Sequence, residues 1–420
     1  MPIQEVKLLK NRNIFLFTFS QAVSQFGDRI NNMAILSLLG THAMGSSEYS
    51  FLAFWTVIPV VLFGPIAGAI TDRFNRKIVM IVSDLARALL VISLIFLFKS
   101  FKDFRVAYLI VFCTFTFTAL FNSAKNGIVV HIAGDKSNLA VLNSMLSFWG
   151  RIATGLGILF GGIISDRYLW KSYGFEGWEV GLFVDGLSFL ISAILLVFIQ
   201  GDGEYIKPQS EIKAKISYIH SISEGLKFVK KRKILLYSLI ATALISYVGA
   251  ITYILGIVKL QKIWHTGTAQ LGLMGGIYGL GLFLGSYLAG RILKGREYKL
   301  LWNSVFVLGL TLLGIALTSN LLILSPLFAI GGIFTSLGFI AAETVFQKYS
   351  TSDYIGRVVI LKDIVNALTF TSTVILMGLW NDILAKFVGF ENALNINLIA
   401  SSLLVVMCWI LRGFFVRGNE

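Results

Sequence analysis

The strongest constraint on this chain is the recurrence of apolar runs long enough to cross a lipid bilayer. A helical span needs ~20 predominantly apolar residues to cover about 30 Å of hydrocarbon. Runs of that kind occur at 14–39, 51–71, 78–99, 106–131, 140–164, 178–200, 234–257, 268–290, 300–318, 321–345, 356–380 and 392–412. The narrowest break, Ser319-Asn320, separates the ninth from the tenth. Lipid offers the backbone no hydrogen-bond partners, so the runs are expected as helices. The first is too long for the apolar core of a signal peptide and is expected to stay as a span. Composition points the same way. Of 420 residues, 56% are hydrophobic and 14% charged, against about 25% charged in soluble domains. One soluble core cannot hide that much apolar surface. The expected fold class is all-α: a polytopic membrane protein with twelve transmembrane helices.

The formal net charge of +14 fits loops at a membrane face rather than a nucleic-acid footprint, and no nucleic-acid partner is expected. With both termini placed inside, the inner segments hold 23 of the 36 Lys and Arg, the outer loops 8 and the spans 5. Lys and Arg accumulate on the cytoplasmic side, so both termini are expected there. Cys113 and Cys408 lie in separate apolar runs, and His42, His131, His220 and His265 are scattered. Neither a disulfide framework nor a metal site is expected from them, and no cofactor.

The longest polar stretch, 201–233, divides six spans from six. The expected organisation is a six-helix bundle over 1–200, a cytoplasmic linker over 201–233 and a second six-helix bundle over 234–420, with a cavity between the bundles. In the linker, Ile212, Ile216, Ile219, Ile222, Leu226 and Val229 recur at helical spacing with lysines between them, which predicts an amphipathic helix on the inner membrane face.

The loop after the second run reads Gly68-Ala69-Ile70-Thr71-Asp72-Arg73-Phe74-Asn75-Arg76-Lys77. Asp72 stands where one helix ends and three cations follow. A cluster of this kind can latch helix ends in one conformation and release them in another. Gly68 is expected to let a neighbouring helix come close. The loop resembles the G-x-x-x-D-R-x-x-R-K motif of the major facilitator superfamily, which implies two pseudo-symmetric bundles and secondary transport. The matching loop of the second half, Gly290-Arg291-Ile292-Leu293-Lys294-Gly295, stays basic but has glycine where the acid would stand. Ser83-Asp84-Leu85-Ala86-Arg87-Ala88-Leu89-Leu90, the Asp185 stretch of the sixth run and Tyr354-Ile355-Gly356-Arg357-Val358 are similar to the drug:proton antiporter branch with macrolide efflux and enterobactin exporters. Antiporters of the superfamily often carry a Gly-Pro element in the fifth span. Here Gly155 to Gly162 contains no proline.

A charge at the bilayer centre costs about 2.5–3.5 kcal/mol on insertion scales and calls for a partner or a role. The first run carries Asp28-Arg29-Ile30-Asn31-Asn32 near its middle. Asp28 is the expected proton-coupling carboxylate, with a static bridge to Arg151 as the alternative. Asp28, Arg29, Asn31, Asn32 and Arg151 are the candidates for cargo contact, with the mid-span aromatics Trp55, Tyr253 and Tyr278 as candidate cavity lining. Asp84, Arg87, Glu343, Lys362 and Asp363 are the expected gate charges. Gly68, Asp72, Arg73, Arg76 and Lys77 are the expected conformational latch. Lys125 is expected to snorkel to the cytoplasm. Glycines four apart in the eighth run, such as Gly281 and Gly285, are expected to bring helices into backbone contact.

The expected function is proton-coupled export of an amphipathic small molecule by alternating access, in a cell inner membrane, by a monomer whose partners are lipid, protons and cargo. No phosphate-binding G-x-x-x-x-G-K-[ST] loop is present for an ATP-driven pump. The first-span Asp, Arg and Asn also resemble lysophospholipid flippases, and Gly27-Asp28-Arg29 is similar to ferroportin-type metal exporters. A metal exporter would need further oxygen or His ligands around Asp28 and Asn31. An intramembrane enzyme would need a nucleophile and base on facing helices, and His131 has no clear Ser or Asp partner in the sequence.

Overall fold

The computed structural model describes residues 11–71, 73–133, 136–200, 218–292, 295–318, 320–351 and 354–416, with the backbone alone at some helix positions. The described chain is helical throughout. The helices are α1 (Arg12–His42), α2 (Ser46–Thr71), α3 (Arg76–Phe101), α4 (Phe104–Ala133), α5 (Lys136–Ile164), α6 (Gly177–Val197), α7 (Tyr218–Lys231), α8 (Lys233–Ile251), α9 (Thr268–Ile292), α10 (Glu297–Leu317), α11 (Leu321–Tyr349), α12 (Ile355–Val388) and α13 (Phe390–Val416). All but α7 coincide with the twelve apolar runs. Ten stretches among the described residues are long and apolar enough to cross a membrane, one of them α8 continued to Ile263. α1 is not among them, since Gln21, Gln25, Asp28, Arg29, Asn31 and Asn32 interrupt its apolar run.

Local chemistry sets the helix starts. The Asn11 carboxamide accepts from Asn13 N at 3.0 Å, the Asn75 carboxamide from Lys77 N at 2.9 Å and the Asn320 carboxamide from Leu322 N at 2.8 Å, each relieving amides that have no partner inside their helix. The seventh span is longer than its apolar run. α8 passes through two π-helical turns, Thr252–Gly256 and Lys259–Ile263. Lys259 and Lys262 are therefore helical and not in an outer loop as the sequence suggests. Lys259 Nζ donates to the carbonyls of Ile315 (3.2 Å) and Ala316 (2.6 Å), which the end of α10 leaves without helical partners.

The chain divides into two compact units. The first takes α1, α2 from Phe51, α3 to α6 and the segment Thr266–Leu273. Inside it, α1 packs on α5 and α6, and α3 on α4 and α6. Near the start of α1 and the end of α6, Ile14, Phe17, Met80, Phe121, Ala124, Ile128, Leu142, Met145 and Leu196 form one buried cluster drawn from α1, α3, α4, α5 and α6. Asp166 accepts from Ala269 N at 3.0 Å in the same unit.

The second unit takes Gly45–Ser50, Glu211–His265 and Met274–Glu420. In it, α10 packs on α11 and α13, and α8 on α12. The Asp382 carboxylate accepts from Ser46 N and Ser47 N, both at 2.8 Å. The linker segment 201–217, with Ile212 and Ile216, lies outside the described residues. The helical part of the linker is α7, and it docks on the start of α12. Phe228 stacks on Tyr354 at 4.5 Å between ring centroids, and Glu224 pairs with Arg357.

Lipid tails are as apolar as leucine, so within a membrane these helices are held by close packing more than by a hydrophobic drive. Glycines set how close they come. A Cβ on Gly157 would sit 2.7 Å from the carbonyl of Phe26 and 2.7 Å from Arg29 Cβ, and one on Gly161 would sit 2.8 Å from Ile30 Cα, so α5 lies directly on the α1 backbone. Gly285 does the same for α9 and α11, 2.9 Å from Ser336 Cβ, as its spacing predicts. Gly155, on the same helix as Gly157, faces nothing within 4 Å. Gly157→Val should therefore lower stability by about 1–3 kcal/mol through overpacking. Gly155→Val, with the same change in helix propensity, should leave the thermal midpoint of the purified protein nearly unmoved. Equal loss in the two variants would contradict direct α1–α5 backbone contact.

Candidate functional site

The first unit contains charges drawn from α1, α3, α4 and α6. Asp84 and Arg87, three apart on one face of α3, form an ion pair and are 0% and 1% exposed at their side chains. The Arg87 guanidinium lies between two rings, 4.4 Å from the centroid of Phe121 on α4 and 4.1 Å from that of Phe189 on α6. Such faces attract a cation and fix its plane. Held in that slot, Arg87 points its second nitrogen at Asp28 on α1, at 3.8 Å. The two residues expected as gate charges are thus interior, and they link α3 to the first-span acid.

The alternative for Asp28, a bridge to Arg151, does not form. Gly150 and Gly157 of α5 face Gln25, Phe26 and Arg29 of α1. Arg151 is one step further round the helix and exposed, with no ion-pair partner among the described residues. Arg29 is half-buried beside Gly157. Asn31 points to α6 and donates to Asp185 at 2.6 Å. Ser188 donates to the other Asp185 oxygen at 3.4 Å, and Gly27 lies against both residues of α6, where a Cβ would stand 2.7 Å from Asp185. Asp185 is fully buried. Asn31 is therefore occupied in joining α1 to α6, while Asn32 is exposed.

Asp28 differs from Asp84 and Asp185 in one respect: its side chain is 40% exposed. It lies within electrostatic reach of Arg29, Arg87 and Lys125. It also shares a face of α1 with Gln21 and Gln25, the spacing 21, 25, 28 being one helical stripe. That stripe borders a cavity of about 480 Å³ lined by Gln21, Gln25, Lys125, Asn126, Val129, Asn143, Leu146 and Ser147. Lys125, expected to snorkel away, lines this cavity instead. Gln21, Gln25, Asn143 and Ser147 were not singled out from the sequence, although the 21–25–28 periodicity marks the face.

The remaining candidates are dispersed. Trp55 stands edge-on to Phe54 and Phe112, at 5.3 and 5.6 Å, in the first unit. Tyr253 neighbours Phe370 at 6.1 Å, and Tyr278 lies along Gly331 and Gly332 of α11, both in the second unit. In that unit Lys362 pairs with Glu343 and, at 3.3 Å, with Asp363, so these three expected gate charges do meet. Asp72 lies outside the described residues. Arg73 is exposed, Arg76 donates to the Gly127 carbonyl at 3.2 Å, and Lys77 Nζ donates to the carbonyls of Val197 (3.0 Å) and Ile199 (2.7 Å) at the end of α6. The sequence reading of Gly68 is corrected: a Cβ there would meet nothing within 4 Å, so no helix approaches it. Among the described residues no three His, Cys, Asp or Glu side chains converge as a metal site would require.

Arg87 is the residue on which this arrangement turns. Removing one partner of a buried charge pair costs about 3–5 kcal/mol because the other charge is left uncompensated. Arg87→Met should lower the thermal midpoint sharply or prevent recovery of folded protein. Arg87→Lys should rescue it only in part, since an ammonium cannot keep both ring faces and both carboxylates. Full stability of Arg87→Met would mean that the acids do not depend on it.

Comparison with known proteins agrees with this architecture. Over 394 residues the chain is 25% identical to "Uncharacterized MFS-type transporter YfiS" of Bacillus subtilis (strain 168), covering 92% of this chain and 90% of that one. It is 25% identical over 341 residues to "Putative bacilysin exporter BacE" of Bacillus amyloliquefaciens, covering 80% and 79%. Among solved structures, a bacterial homolog of the human lysosomal transporter Spinster in an inward-facing, unoccupied conformation superposes with a TM-score of 0.70 at 14% identity, covering 98% of this chain and 96% of that one. The nucleoside transporter NupG gives 0.71 at 12% identity, covering 94% and 98%. The fold is that of transporters and not of enzymes. The Major Facilitator Superfamily model matches residues 17–359, and the chain belongs to that family, as a multi-pass protein of the lipid bilayer that carries small molecules.

Proposed function

We propose that this transporter is a proton-coupled exporter of an amphipathic small molecule, of the drug, macrolide or siderophore type. In this reading it is a monomer of a bacterial inner membrane with both termini in the cytoplasm. One observation carries the coupling: of the three acids in the α1, α3 and α6 cluster, Asp28 alone has an open side chain, and it holds Arg87 by the longer of that residue's two ion pairs. When Asp28 takes a proton, Arg87 keeps Asp84 and both aromatic faces, so only the α1–α3 bridge is given up. Each protonation state then favours a different arrangement of α1, and a carrier with two such states alternates its access. Lys362 with Glu343 and Asp363 serves as a gate charge set, and the cations Arg73, Arg76 and Lys77, with Asp72, serve as the latch. Outward direction is supported by the relative BacE, named for export of bacilysin.

Asp28→Asn removes the titratable group and keeps the size of the side chain. It should insert and unfold much as the parent does but lose transport driven by an imposed pH gradient in proteoliposomes. The cargo for that assay would come from a thermal-shift screen across drugs, macrolides and siderophores. Undiminished gradient-driven transport by Asp28→Asn would remove Asp28 from the coupling.

A further inference from the structure

Resting on the reading of the chain as a small-molecule carrier, we propose that the cavity between α1, α4 and α5 is a subsite for a carboxylate on the cargo. Lys125 supplies its charge, and the amides of Gln21, Gln25 and Asn143 supply its hydrogen-bonding wall. Every lining residue comes from the first unit, and no acid is among them. The volume, about 480 Å³, fits a small-molecule group, since such sites run to roughly 300–1,000 Å³. Val129 and Leu146 provide an apolar edge.

The second observation concerns Gln21. This side chain is 3% exposed, yet its Nε2 has no hydrogen-bond partner. Buried donors in folded proteins nearly always have an acceptor, and one without marks a place where a further acceptor fits. A carboxylate pairs with Lys125 through one oxygen, and a turn of the Gln21 side chain, whose Nε2 is sealed in this structure, brings that donor to the other. The count of charge also selects the class. Lys125 is the one charged residue of a lining that is otherwise neutral, and Asp28, the acid within its electrostatic reach, is already paired with Arg87, which leaves the ammonium to balance one further negative charge. Sites that hold phosphate groups more commonly present an arginine fork or several cations. The polar residues lie two to three helical turns from the ends of α1, α4 and α5 that flank the basic α2–α3 loop, so a cargo reaching them has left that membrane face.

The test is binding by the purified full chain in detergent, with no gradient. Fusidate, naproxen and nalidixate would be titrated beside their methyl esters, with lysophosphatidylglycerol as the phosphate-bearing comparison. Acids should stabilise the protein at concentrations about 10-fold or more below their esters, the size expected of a charge-assisted hydrogen bond. Lys125→Gln should erase that preference, Lys125→Arg should keep most of it, and Gln21→Leu should weaken it should Lys125→Gln prove unstable. Binding is read here without a gradient and coupling with one, so a failure of proton coupling and a failure of this subsite are read separately. The proposal is overturned if no acid is preferred over its ester, if the preference survives Lys125→Gln, or if the lysophospholipid is bound more tightly than every acid with the same dependence on Lys125.

Discussion

A guanidinium with 1% exposure, in a bundle whose surroundings are hydrocarbon, is the constraint around which the first unit is organised. Arg87 cannot shed its charge, so the fold must surround it with compensation. Two ring faces from α4 and α6, an acid from its own helix and an acid from α1 provide it. Four helices are thereby tied to one side chain. The arrangement also explains why α1 tolerates Asp28 near its middle: the carboxylate has a cation waiting for it on a neighbouring helix. The Asp28 carboxylate depends on that cation for its charge, while Arg87 has Asp84 as well and is held in place by Phe121 and Phe189.

Close backbone approach makes that geometry possible. Gly27, next to Asp28, lies against Asp185 and Ser188 of α6, and Phe26, Arg29 and Ile30 lie against the α5 glycines Gly157 and Gly161. With α1 pressed between α5 and α6, its rotation is fixed, and with it the division of polar side chains between two faces. Asn31 turns to Asp185 and Asp28 to Arg87, while Gln21 and Gln25 line the cavity. In a membrane, where apolar burial discriminates weakly between arrangements, such steric fixing and the pairing of buried polar groups carry more of the specificity than they do in water.

Much of this was legible in the sequence, and most of the misses have a common cause. Apolar runs and Asn caps mark the twelve membrane helices, and the three-residue spacing of Asp84 and Arg87 marks their pairing, because these are properties of one helix. The partner of Asp28 depends on the relative rotation of α1, α3 and α5, which no single helix encodes. Arg151 looked suitable by depth, but the glycines beside it take the α1-facing side and leave Arg151 turned away. Lys125, in the inner half of the fourth run beside Asn122 and Asn126, reads as reaching the cytoplasm. Its neighbours Gln21, Gln25 and Asn143 arrive from α1 and α5. The long seventh span escaped for another reason: Lys259 is too polar to continue an apolar run, and it is accepted only because the end of α10 presents two free carbonyls to it.

The same logic separates the polar groups that hold the fold from those available for work. Asp84 spends its charge on Arg87 of its own helix, while Asp185, Asn31 and Lys259 spend their charge or hydrogen bonds on a neighbouring helix, and all are sealed or nearly so. Asp28 remains partly open, Lys125 lines the cavity, and Gln21 is buried with an unmet donor. Buried polar groups left incompletely satisfied in an otherwise close-packed membrane bundle are costly to keep. A carrier that must bind and release requires such a group at its cavity, and Gln21 is one. A site satisfied in full by the protein would have nothing to offer a cargo, and one with no polar group could not tell one apolar molecule from the surrounding lipid.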